Sequence, residues 1–194
     1  MSNLSNLSDA SREHTIAQFI ADAHEVLAHG GVTESSLRAL GDLLRRLAQL
    51  PDLIPDHDLA AMHGSDSSAT VLHSDGAEAM TLVLAKFSPT AETPIHDHGS
   101  WAVACVVRGR DRYRHWERLD DSANPSHAEL RLLYERELGP GDVVYWLDPP
   151  DDIHSQQGID EPVWELLLFG KNAMIRPRHY FDPTTGAVRV ALPQ

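Results

Sequence analysis

The residues of this chain best suited to chemistry are the two histidines of Pro94-Ile95-His96-Asp97-His98, followed at a distance by His154. In an extended strand, residues two apart point to the same face. His96 and His98 can therefore aim together into an interior, while Asp97 points away from it. Two histidines at this spacing carry little information alone, but the stretch 139–154 adds to it. Gly139-Pro140-Gly141-Asp142 fixes a tight corner and Asp148-Pro149-Pro150 a second one. His154 then begins a strand able to return beside the first pair. Three imidazoles on adjacent strands can occupy one face of a metal ion and leave its other positions open.

Such histidines need a scaffold of short strands, and the chain supplies one. Between 8 and 31, Ile16, Phe19, Ile20, Ala23 and Leu27 recur at helical spacing before Gly30-Gly31. A second helical stretch, 33–50, carries Leu37, Leu40, Leu44 and Leu47 on one face and ends at Pro51. The polar segment 52–68 reads as a connecting loop. From 69 onward the pattern becomes strands at 70–73, 80–87, 101–108, 112–118, 129–137, 143–147, 163–169, 178–181 and 188–192, broken by Gly, Pro, Asn and Asp turns. Many short strands at such spacing imply an all-β sandwich or barrel over 69–194. Residues 1–68 form an α-helical N-terminal cover within the same domain.

Composition narrows the partners. The chain has 194 residues, enough for one substantial core, with 42% hydrophobic and 23% charged residues. Sixteen basic against 29 acidic residues give a net charge of −13, with no basic cluster to attract a phosphate backbone, so nucleic acid is not an expected partner. No apolar run reaches the roughly 20 residues of a membrane helix, and the N-terminus does not read as a signal peptide. Cys105 is the only cysteine, which excludes an internal disulfide and a cysteine metal site. A cytoplasmic location is the expectation.

The two histidine-bearing blocks resemble the two motifs of the cupin superfamily, in which a small β-barrel presents metal ligands from its strands. More narrowly, TPIHDHGSWAVACVVRG, PGDVVYWLDPPDDIH and the tail RPRHYFDPTTG look like the bacterial thiol dioxygenases, the group of cysteine dioxygenase and 3-mercaptopropionate dioxygenase. The resemblance spans nearly the whole chain. It implies an all-β cupin barrel and Fe(II) held by His96, His98 and His154. It further implies O2 and a small thiol as reactants, the thiol becoming a sulfinate. The glutamate that many cupins carry in the first motif is missing, and Gly99 to Val103 offer no ligand in its place. Three neutral ligands leave a dication's charge uncompensated, which favours an anionic bidentate substrate such as a thiolate.

The match breaks on a late strand. Thiol dioxygenases carry Ser, His and Tyr there as a relay beside the iron, and the same register here gives Glu165, Leu167 and Phe169. Leucine and phenylalanine neither donate nor accept hydrogen bonds. Two readings stay open: a thiol oxygenase in which Glu165, His179 or water replaces the relay, or an oxygenase turned to a non-thiol substrate. A metal-dependent binding protein without turnover is a third, and zinc in the same site would suit a hydrolase or lyase. The resemblance places a substrate-carboxylate arginine in the tail at Arg178, with Arg176 two residues earlier on the same face. A guanidinium matches a carboxylate bidentately. Trp101 is a candidate pocket wall. Tyr113 and His115, on a segment that also carries Arg112 and Arg114, read as part of a solvated face, and Leu82 and Leu84 as core or pocket lining.

Overall fold

The computed structural model describes residues 9–51, 53–54, 59, 62 and 67–193; most of the expected loop 52–68 lies outside them. Helix α1 (Asp9–Gly30) turns Ile16, Phe19, Ile20 and Ala23 inward. Helix α2 (Glu34–Ala48) begins where Thr33 caps it, the threonine Oγ1 accepting the Ser36 N–H at 3.2 Å. Its buried face holds Leu37, Leu40, Gly41, Leu44 and Leu47. Gly41 has a packing reason: a Cβ there would lie 2.8 Å from a methyl of Val143, so glycine lets the helix rest directly on the sheet. Among the described residues, no helix is long and apolar enough to cross a membrane.

Eleven strands follow among the described residues: β1 (Ser68–Ser74), β2 (Thr81–Phe87), β3 (Ile95–His96), β4 (Ala102–Arg108), β5 (Asp111–Arg118), β6 (Leu130–Leu138), β7 (Val143–Trp146), β8 (His154–Gly158), β9 (Val163–Phe169), β10 (Arg178–Phe181) and β11 (Val188–Ala191). They form two antiparallel sheets, ordered β1-β2-β9-β4-β7 and β11-β10-β3-β8-β5-β6. The helices pack on the outer face of the first sheet, against Leu82, Leu84, Val103, Cys105, Leu166 and Leu168. The alternate residues Val83, Ala85, Ala102, Ala104, Leu167 and Phe169 face the second sheet with Tyr113 and Trp146. The strands β2, β9 and β4 are thus buried on both faces, which explains why they read as continuous apolar runs. Each such leucine contributes about 1.5–3 kcal/mol by burial.

Nine of these strands lie within a residue or two of the ranges expected from the sequence, while β3 and β8 match none of them. β3 is two residues long, and β8, His-Ser-Gln-Gln-Gly, has no apolar residue to betray it. One expectation is corrected. The strand β3 ends at His96, so His98 lies in the loop beyond it and not on the same strand.

Candidate metal centre

His96 and His154 sit directly opposite each other across β3 and β8, in the sheet that faces the helix-backed one. His98 reaches the same point from its loop. The three rings meet edge to face or stacked, with centroids 4.7, 4.8 and 4.9 Å apart. One nitrogen from each ring lies within 4.8 Å of the others, and His98 Nε2 is 3.3 Å from His154 Nε2. All three side chains are buried, His154 almost completely.

Burial is the main influence on their protonation. Loss of water holds His96 down to about 3 and pushes His98 and His154 well below their usual value. The nearby Arg178 charge adds to the effect on all three. The imidazoles are therefore neutral near pH 7, each with one ring nitrogen carrying a lone pair. His96 Nδ1 faces the Pro94 carbonyl at 2.8 Å and donates to it, which leaves Nε2 as the free acceptor. The Nδ1 atoms of His98 and His154 are buried without partners. Three neutral imidazoles crowded together, with two of their buried ring nitrogens unpartnered, are a costly arrangement in a dry interior. A divalent ion resolves it: with nitrogen–metal distances of about 2.1 Å, ligand nitrogens stand roughly 3.0–3.5 Å apart, the spacing that His98 and His154 already have. The donor set fits a metal.

The walls of the site are aromatic. Trp146 stacks on His98 and lies 4.4 Å from the His154 ring, and Phe169 comes within 4.8 Å of His98. Tyr113 stacks on His154 at 5.6 Å and its hydroxyl meets His115 Nδ1 at 3.3 Å. Tyr180 stacks on His96. Beside these rings, the largely buried Arg178 donates from Nη2 to the Ala173 carbonyl at 3.1 Å, while its Nε has no partner. Burial lowers this guanidinium from its usual value, with Tyr180 and Asp97 acting in the opposite direction.

The remaining predicted residues divide clearly. Phe169 faces the histidines, and Leu167 occupies the interior below it. Glu165 points inward too, but four residues further along β9, about 13 Å at strand rise. There its Oε2 accepts from Gln156 Nε2 at 2.9 Å, and the same amide reaches Asp111 at 3.3 Å. Glu165 therefore does not meet the histidines but sits deeper in the interior, bonded to Gln156 two residues along β8 from His154. Trp101 is not a pocket wall: it packs into the helix-facing cluster and against Gly170, because it stands on the face opposite Ala102. Arg176 pairs with Glu78 at the surface, away from the rings. His179 lies outside, its Nδ1 2.6 Å from Asp97 Oδ2, so the Asp97 carboxylate points away from the centre toward it. Cys105 also faces the helices, and burial pushes its thiol up to about 12. Leu82 and Leu84 are core under the helices.

Tyr113 and His115 correct the reading of β5 as a solvated face. Both are buried, and the arginines between them occupy the other side. Alternation within Asp111-Arg-Tyr-Arg-His-Trp was the available signal. Trp146 and Asp152 gave no such cue beyond their nearness to His154.

No protein-family model matches the chain. Among solved structures, that of a DMSP lyase aligns over 90% of this chain and 100% of its own, with a TM-score of 0.51 and 14% identity. An oxalate oxidase bound to the substrate analogue glycolate gives a TM-score of 0.43 at 16% identity over 57% of this chain. A variant of the oxalate decarboxylase of Bacillus subtilis gives 0.42 at 18% identity, covering 64% of this chain and 29% of that one. The aligned region spans 53% of the oxalate oxidase chain. The full-length alignment with the lyase and the two facing sheets assign the fold, a cupin β-barrel with an α-helical N-terminal region.

Proposed function

We propose that this chain is a non-haem Fe(II) dioxygenase that converts a small thiol carrying an acid group to its sulfinate, RSH + O2 giving RSO2H. The observation that supports it most is the convergence of three neutral, buried imidazoles beside the Arg178 guanidinium. His96, His98 and His154 would hold the ion. Iron bound by three neutral ligands supplies open coordination positions and reducing power toward O2.

The chain's own residues account for the rest. Arg178 has an unpartnered Nε and a weakly committed Nη2, so a carboxylate can displace Ala173 O and take the guanidinium fork. This fixes one end of the substrate and leaves the other directed at the histidines. Trp146, Phe169 and Tyr113 exclude water, which strengthens each charge interaction within. With a net charge of −13, the protein's surface does not gather polyanions, so the partners are a small molecule and O2.

A second reading, favoured by Leu167 and Phe169 on β9, is oxygenation of a small acid without a thiol. Both readings are tested on iron-loaded protein in an oxygen electrode with cysteine, mercaptopropionate, mercaptosuccinate and thiol-free acids. Uptake with a mercapto acid supports the first. Uptake only with thiol-free acids supports the second and removes the first.

A further inference from the structure

Of the three histidines, His98 alone has no strand to hold it. His96 and His154 are locked by their pairing across β3 and β8, whereas His98 follows the end of β3 in the loop 97–101. That loop has backbone donors with no ladder partner, and buried donors of this kind must be satisfied. Two carboxylates from the segment ahead of β8 do so. Asp152 Oδ2 accepts the N–H of His98 at 2.9 Å and of Gly99 at 2.8 Å, and Asp148 Oδ1 accepts the N–H of Trp101 at 3.0 Å. Gly99, at φ +65°, makes the turn that lets two successive amides point at one oxygen. Asp152 is 1% exposed, and its other oxygen has no partner. It stands two residues before His154. One carboxylate thus joins the loop that bears the second histidine to the strand that bears the third.

We infer that Asp152 is the positioning residue that keeps His98 in the metal-binding set, through its two backbone hydrogen bonds and not by touching the ion. The inference rests on the reading of the three histidines as ligands and is independent of the reaction they serve. Residues that orient ligands from behind typically change metal affinity 10- to 100-fold. An aspartate-to-asparagine change keeps a carbonyl oxygen able to accept both amides, removes the charge and puts an amide NH2 in place of the unpartnered oxygen. A change to glutamate keeps the charge and moves the oxygens by one methylene.

The test is a Co(II) titration of metal-free protein, followed by the visible ligand-field absorption and needing no turnover. The wild type is expected to bind one equivalent. D152A should bind 10- to 100-fold more weakly with an altered band pattern, D152N should stay within about threefold of wild type with the native spectrum, and D152E should fall with D152A. Should D152A fail to fold, the contrast between D152N and D152E decides. Folded D152A with wild-type affinity and spectrum overturns the inference while leaving the histidine reading intact. D152E binding as well as or better than D152N also overturns it, since charge and not position would then govern. A wild type that takes up no Co(II) removes the inference together with the histidine reading.

Discussion

The Phe169 ring lies 4.8 Å from that of His98, centroid to centroid, and closes the side of the site formed by β9. An aromatic carbon surface with no hydrogen-bonding group therefore faces His98 from β9. The site excludes water by packing and holds a nearby cation at Arg178.

Truncation of that ring should destabilise the fold. Phe169→Ala removes a buried aromatic side chain and should lower stability by about 3–5 kcal/mol. Urea unfolding of the metal-free protein measures it, and a loss below about 1 kcal/mol would show that the wall is not packed as described.

Arg178→Gln should raise KM for an acid substrate about 10- to 100-fold, the equivalent of a charge-assisted hydrogen bond of roughly 1.5–3 kcal/mol. Arg178→Lys keeps the charge but loses the fork and should fall between. Steady-state kinetics of the three proteins decide, and equal KM values would place the acid group elsewhere.

The buried carboxyls Glu165 and Asp111, which share the Gln156 amide, give rise to a pH effect. Burial first, then the Asp111 charge, pushes the Glu165 carboxyl well above its usual value, and burial raises Asp111 to about 7. A carboxyl raised on folding binds more protons in the native state than in the unfolded one. Stability therefore falls as pH rises from the unfolded value of about 4.5 toward the native one. Glu165→Gln removes this titration, so its stability relative to wild type should improve steadily between about pH 5 and pH 8. Urea midpoints at both ends of that range measure it, and a constant difference would contradict the assignment.

Gly170 carries the fourth expectation. A Cβ there would lie 2.2 Å from Trp101 Nε1, so Gly170→Ala should destabilise by about 1–3 kcal/mol through overpacking. Thermal unfolding with tryptophan fluorescence reports both the loss and the displaced indole, and an unchanged midpoint would contradict the close packing of the two residues.

Much of this molecule was legible in the order of its residues. Helical spacing gave both helices, and β-branched and apolar runs between Gly and Pro turns gave nine strands, because burial on one or two faces leaves a periodic trace. His96, His98 and His154 were legible through their spacing from turns. The interior polar positions were not. Gln156 donates to Glu165 and to Asp111 inside the barrel, and a buried polar residue with a partner reads like an exposed one. Trp101 was misplaced because nearness in sequence to His98 does not say which side of a sheet a residue takes, and β3 ends before that register is set.

The most direct measurement is the fate of oxygen atoms on iron-loaded protein supplied with a small mercapto acid under labelled O2. The expected product is a sulfinate carrying both labelled atoms, with the activity lost in His154→Ala. Fully loaded protein that consumes no oxygen across the mercapto acids, or that forms product with unlabelled oxygen, would contradict it.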